Sequence, residues 1–190
     1  MRYSKKSSLQ RGFTALELII VLVVGFSIIA LSASKMGELF SSSSTVAAMN
    51  SILELYSSAR SLRGATGYTS EGGGDLFKLL RQAKMIPKGL NDDGTSVKNE
   101  WGGIIKIQAI AGDAGSGFNI TYPSVPTKSC LKLSQNLIHS GNFNGITVEE
   151  VPLNENSTVE QIITACSGSK EASGGTTGKN AVEMVFLFTE

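Results

Sequence analysis

From Phe13 to Ala33 the chain carries one charge, Glu17, and only three softer polar groups, Thr14, Ser27 and Ser32. A stretch this apolar on every side cannot lie on the surface of a water-soluble domain; it needs lipid or other helices around it. It is also just long enough for the roughly 20 residues that span a hydrocarbon core as a helix. Ahead of it, residues 1–12 hold Arg2, Lys5, Lys6 and Arg11 and no acid. Cations on that side place the N-terminus in the cytoplasm and send the rest of the chain across the membrane. Removing those four from the 17 basic residues leaves 13 against 16 acidic ones, so a basic head precedes a mildly acidic body. The overall net charge of +1 gives no bias toward nucleic acid.

Two ordinary readings compete for this segment. A secretory signal peptide usually has an apolar core of only about 7–15 residues and a small-residue cleavage site, for which "LSASKM" offers a weak version. A simple anchor accounts for the length but not for Glu17. A carboxylate near the end of a membrane helix costs on the order of 2–3 kcal/mol, and so asks for a partner. One candidate is a new amino group at Phe13, released by a cut after Gly12, since Phe13 and Glu17 are four apart on one helical face. A carboxylate at a helix start also suits the positive end of the macrodipole. The amino group of a neighbouring copy, offset along the axis, would serve equally well.

"RGFTALE" followed by an unbroken apolar helix resembles the class III signal of type IV prepilins and their pseudopilin relatives. The resemblance implies that a prepilin peptidase cuts between Gly12 and Phe13 and N-methylates Phe13. It also implies that Glu17 pairs with the N-terminus of an adjacent subunit during assembly. The short leader and Phe13 fit the type IVa class.

The helical pattern continues past the apolar run. Val46, Met49, Ile52, Leu53, Tyr56, Ala59 and Leu62 recur at spacings of three and four, which predicts one amphipathic face. No proline occurs from Phe13 to Gly64, Arg60 and Arg63 close the stretch, and Gly64 suits a C-terminal stop. A single helix over 13–64 is expected. Gly25, Gly37 and "SSSS" at 41–44 are its weak points, and a solvated serine linker at 41–44 is the other reading. The expected organisation is a leader over 1–12, this helix over 13–64 with 13–33 as transmembrane segment or filament core, and a head over 65–190.

In the head, "DLFKLLRQAKMIP" predicts a short helix stopped at Pro87. "WGGIIKIQAI" and "GFNITYP", joined by "AGDAGS", read as a β-hairpin. "KSCLKLSQNLIHS" has near-helical apolar spacing, and "GITVEEV" reads as one strand. "STVEQIITAC" predicts a helix with Ser157 and Glu160 as a capping box. "SGSKEASGGTTGKN" reads as a mobile loop and "AVEMVFLF" as a buried terminal strand. This order predicts an α+β head with a mainly antiparallel sheet, a long N-terminal helix packed on it. "EWGG" before a hairpin, "SC" opening a helix and a second Cys ending a later helix resemble the larger type IVb pilins of the PilS type. That resemblance implies a pilin fold, even though type IVb leaders run longer and often start the mature chain with Met or Leu.

The leader-and-anchor reading sends the head to an oxidising compartment, where Cys130 and Cys166 would close one loop; two buried thiols are the alternative. No Cys or His spacing suggests a metal, and no cofactor is implied. His139, the only histidine, reads as a solvated helix-end residue beside Ser140. "GTTGK" at 175–179 lacks the spacing and strand–helix context of a phosphate loop. Asp92 and Asp93 in "NDDGT" suit a turn better than a weak calcium site. Lys128, Lys132 and Lys170 form no convincing patch.

The sequence thus reads as a structural subunit and not an enzyme. The resemblance implies a major pilin, held in the inner membrane with its head in the periplasm, then polymerised into an extracellular helical homopolymer. Its implied partners are other copies of itself, the prepilin peptidase, an inner-membrane assembly platform and ATPase, and a host or recipient cell surface. Adhesion, aggregation or conjugative contact would reside on the head. A type II secretion pseudopilin, a minor or tip pilin, and an anchored enzyme or sensor are the rivals.

Overall fold

A computed structural model of the protein describes residues 15–64, 67–68, 74–110, 117–168 and 181–189, with the backbone alone for 30–40. Gly12, Phe13, the "AGDAGS" turn and residues 169–180 of the expected loop lie outside these residues. The chain divides into two units, Met1–Phe40 and Ser41–Glu190.

One helix, α1 (Ala15–Ser61), runs through the four serines at 41–44 without a break. Serine is a poor helix former because its hydroxyl competes for backbone groups, but one polar contact offsets this nearby. The Thr45 hydroxyl donates to the Ser41 carbonyl at 2.7 Å and lies 2.8 Å from the Ser129 hydroxyl. In the second unit the buried stripe of α1 is Ala48, Ile52, Leu55, Tyr56 and Ala59. It differs from the expected stripe in that Val46 is exposed, Met49, Leu53 and Leu62 are only partly buried, and Ala48 and Leu55 are fully buried. The exposure of Val46 and the burial of Ala48 and Leu55 follow from the 3.6-residue period, which carries the face from 48 through 52 to 55 and 59 and leaves 46 to one side. The helix ends at Ser61, before Gly64, which instead bridges back to Gly67.

Seven strands form one sheet in the order β1-β2-β3-β4-β7-β5-β6, every recorded pair antiparallel. They are β1 (Asn91–Asp92), β2 (Val97–Lys98), β3 (Ile104–Ala109), β4 (Gly117–Pro126), β5 (Gly145–Val148), β6 (Val151–Leu153) and β7 (Ala181–Thr189). The chain's last strand therefore lies between β4 and β5. Ile105 and Ile107, Phe118, Ile120 and Tyr122, and Val182, Met184, Phe186 and Phe188 point to one buried face. Strict alternation explains why the intervening residues face outward. The α1 stripe lies on this face: the Tyr56 ring sits 5.3 Å from Phe188 and 5.2 Å from Phe143, both edge-on.

Among its described residues the head has three shorter helices: α2 (Phe77–Gln82), α3 (Thr127–Ile138) and α4 (Val159–Cys166). α2 stops well before Pro87, in a turn where Lys84 takes φ 54° and the Met85 amide returns to the Leu80 carbonyl. "GITVEEV" is not one strand but a tight hairpin, because Glu149 and Glu150 both adopt positive φ and turn β5 into β6. The capping box of α4 sits one residue later than expected. The Thr158 hydroxyl accepts from the Gln161 amide, and the Gln161 side chain accepts from the Thr158 amide. The result is the expected α+β architecture, a long helix on an antiparallel sheet.

Candidate functional site

In the first unit the side chains of residues 15–29 are exposed almost throughout; Leu16 is 68% and Phe26 67% accessible. Leu18, Ile19, Ile20, Val21, Leu22, Val23, Val24, Ile28 and Ile29 are exposed as well. Apolar side chains cover every side of this helix, and Glu17 stands in its first turn. Ser27 turns its hydroxyl back to the Val23 carbonyl at 2.7 Å, hiding its polarity within the helix. Among the described residues no helix is long and apolar enough to cross a membrane. The expected span over 13–33 reaches beyond the residues whose side chains are described, at both ends. The cleavage pair Gly12 and Phe13 lies outside them.

In the second unit a polar cluster ties the helix to the sheet. The Glu100 carboxyl accepts from the Ser51 hydroxyl of α1 at 3.0 Å and from the Tyr122 hydroxyl of β4 at 2.5 Å. Burial above all, and then the bond to Glu100, push the Tyr122 phenol far above its usual range. The neighbouring Asn99 side chain donates to the Pro123 carbonyl at 2.6 Å and accepts from the amides of Trp101 and Gly103. A Cβ on Gly103 would stand 2.5 Å from the Pro123 carbonyl oxygen, so only glycine fits there. "EWGG" therefore forms a turn that fixes the helix, the β2–β3 connection and β4 to one another. Ser51 and Tyr122 gave no sequence signal for this, since they lie 49 and 22 residues from their partner Glu100.

Cys130 and Cys166 are joined, with Cα atoms 5.8 Å apart and both side chains buried. The bridge links the first turn of α3 to the last residue of α4. Nothing around it suggests chemistry. His139 caps α3 at the surface. Asp93 closes the β1–β2 turn: its carboxyl accepts from the Ser96 and Thr95 amides and the Ser96 hydroxyl, which hold it well below the usual carboxylate range. Asp92 is bound by Arg81 at 2.9 Å, the main reason its carboxyl is also lowered. Among the described residues no group of three or more His, Cys, Asp or Glu could hold a metal.

Comparison with known proteins points one way. A family model described as PilS N terminal matches residues 42–180. A crystal structure of type IV b pilin from Salmonella typhi superposes with a TM-score of 0.57 at 23% identity, over 75% of this chain and 98% of that one. An NMR structure of type IVb pilin (PilS) from Salmonella typhi matches at 22% identity over 81% of this chain and 95% of that one, with a TM-score of 0.41. The fold likeness rests on the first of these. No curated protein matches the sequence.

Proposed function

The chain belongs to the PilS family and has a pilin fold, and on that premise we propose that it is the major subunit of a type IVb pilus. It is made as a prepilin with a basic leader over 1–12, a helix over 13–64 and a head over 65–190. The peptidase cuts after Gly12 and methylates Phe13. The apolar helix waits in the inner membrane with the head in the periplasm, and an assembly platform and ATPase then transfer it into a filament. The head is not catalytic; it meets a host or recipient cell surface, for adhesion, aggregation or conjugative contact.

The observation that carries this reading is the helix of the first unit, apolar on all sides and exposed in the single chain. At about 25 cal/mol per Å² of apolar surface, leaving such a helix in water is prohibitive. Lipid before assembly and copies of the same helix afterwards both cover it. Glu17 then acts as a register mark: its carboxyl is neutralised when the amino group of the neighbouring copy comes level with it.

The test is made on filaments sheared from cells. Mass spectrometry should find this chain as their main component, beginning at methylated Phe13. A chain that retains Met1, or is cut near Ser34, refutes the prepilin reading. Glu17→Ala should still be processed and inserted but should give few filaments; normal piliation removes the pairing role.

A further inference from the structure

We infer that neighbouring heads join edge to edge, the basic α2–β1 side of one copy against the acidic β6–α4 side of the next. The inference rests on the polymer reading above and names the surface that would bind the second copy. Its basis is the way the sheet sorts charge. β1 is one edge and β6 the other, so these two strands stand six strand spacings apart, about 29 Å.

On the first side, Arg81 and Asp92 neutralise each other at 2.9 Å, and Lys98 lies 3.7 Å from Asp93. Glu100 is turned inward to Ser51 and Tyr122. Lys78, Lys84, Lys88 and Lys106 are left exposed, with Asp75 as the one exposed acid not engaged by those two pairs among residues 74–110. On the second side, residues 145–168 contain Glu149, Glu150, Glu155 and Glu160 and neither Lys nor Arg. Glu150, Glu155 and Glu160 are exposed. The adjoining segment 169–180 adds Lys170, Glu171 and Lys179, which lowers the acidic excess by one without reversing it.

Each side also has an apolar centre for such charges to surround. Val151 of β6 and Val159 and Ile163 of α4 are exposed among the three glutamates, the last two one helical turn apart. Opposite, Ile104 is exposed in a groove of about 210 Å³ shared with Phe77, Arg81 and Lys106. An apolar centre with a charged rim is the usual build of a protein–protein contact. Strand addition does not compete with it. β1 has two residues, and β6 has three with Pro152 at its middle, which lacks an amide to donate. Because the two surfaces differ, the contact is heterologous, and its repetition, where the rotation does not close into a ring, generates an open helical array in place of a two-fold dimer.

Carbodiimide coupling of sheared filaments, which joins Lys to Glu without a spacer, tests this directly. Links from Lys78, Lys84, Lys88 or Lys106 to Glu150, Glu155 or Glu160 are expected in tryptic digests and in a dimer band. Links that also occur in the monomer band lie within one chain and do not count. Reversal of one side alone, as Glu155→Lys with Glu160→Lys or as Lys78→Glu with Lys88→Glu, should abolish filaments. All four changes together should restore them. A gel shift on reduction of the Cys130–Cys166 bridge confirms that each variant has folded. Wild-type filaments whose links avoid these pairs, or a fourfold variant that stays bare, overturn the edge contact and leave the pilus reading intact. If the wild type makes no filaments containing this chain, the pilus reading fails and the contact fails with it.

Discussion

Tyr122 shows how one side chain joins two layers of the head. Its ring is wholly buried beside Trp101, 6.3 Å away, while its hydroxyl reaches the Glu100 carboxyl that Ser51 also holds. Tyr122→Phe keeps the ring but leaves a Glu100 oxygen short of its donor, so it should cost about 1–3 kcal/mol in chemical denaturation. Its pH dependence gives a sharper check. The folded phenol titrates well above the unfolded one, first because it is buried and then because of Glu100. Below about pH 10, the unfolded value, both states hold the proton and the contribution is complete. Above it the unfolded chain releases the proton first, so stability falls as pH rises. The wild-type head should therefore weaken in alkali more steeply than Tyr122→Phe. Lys84 makes the opposite point. Its φ of 54° at the end of α2 is a conformation that costs any residue with a Cβ. Lys84→Gly should raise stability by about 0.5–1 kcal/mol, read as a higher melting temperature.

At the scale of elements, the disulfide fastens α4, an eight-residue helix that buries only Ile162, Ala165 and Cys166. So small an apolar face holds weakly on its own, and the bridge closes a loop of 36 positions. Cys130→Ser with Cys166→Ser should lower unfolding stability by about 3–4 kcal/mol, seen as an earlier denaturant midpoint. Where elements announced themselves, the signal was periodic. "AVEMVFLF" alternates and is a central strand; "IIKIQA" and "GFNITY" alternate and pair with each other. Where elements stayed hidden, the deciding contact was non-local or the local chemistry unusual. The β5–β6 turn is built from two glutamates in place of Asn-Gly, and Glu149 is bound to Glu183 of β7 through both its amide and its side chain. Thr158 and Gln161 form the cap that Ser157 and Glu160 equally suggest, because Ser157 is engaged instead with Asn154. Val46 kept an apolar identity that the helical period alone could not assign to a face.

At the scale of the molecule, the division after Phe40 separates two solutions to the burial of apolar surface. The first unit leaves the apolar side chains described over 16–29 exposed, and the second covers its own. Among the described residues the buried set starts at Thr45 and the apolar core at Ala48, and every core partner of α1 belongs to the second unit. Removing residues 1–40 should therefore leave the described core of the head intact. The cut would also start the helix within Ser41–Ser44, residues poor inside a helix but well suited to cap its beginning. Produced in an oxidising compartment, residues 41–190 should be a water-soluble, disulfide-closed monomer with a cooperative thermal transition. Its midpoint should lie within a few degrees of that of the full chain in detergent, as followed by circular dichroism. A truncated chain that aggregates, or melts without cooperativity, would show that the head draws stability from the first unit. The full chain should stay dispersed only with lipid or detergent present, since the apolar side chains described over 16–29 are exposed.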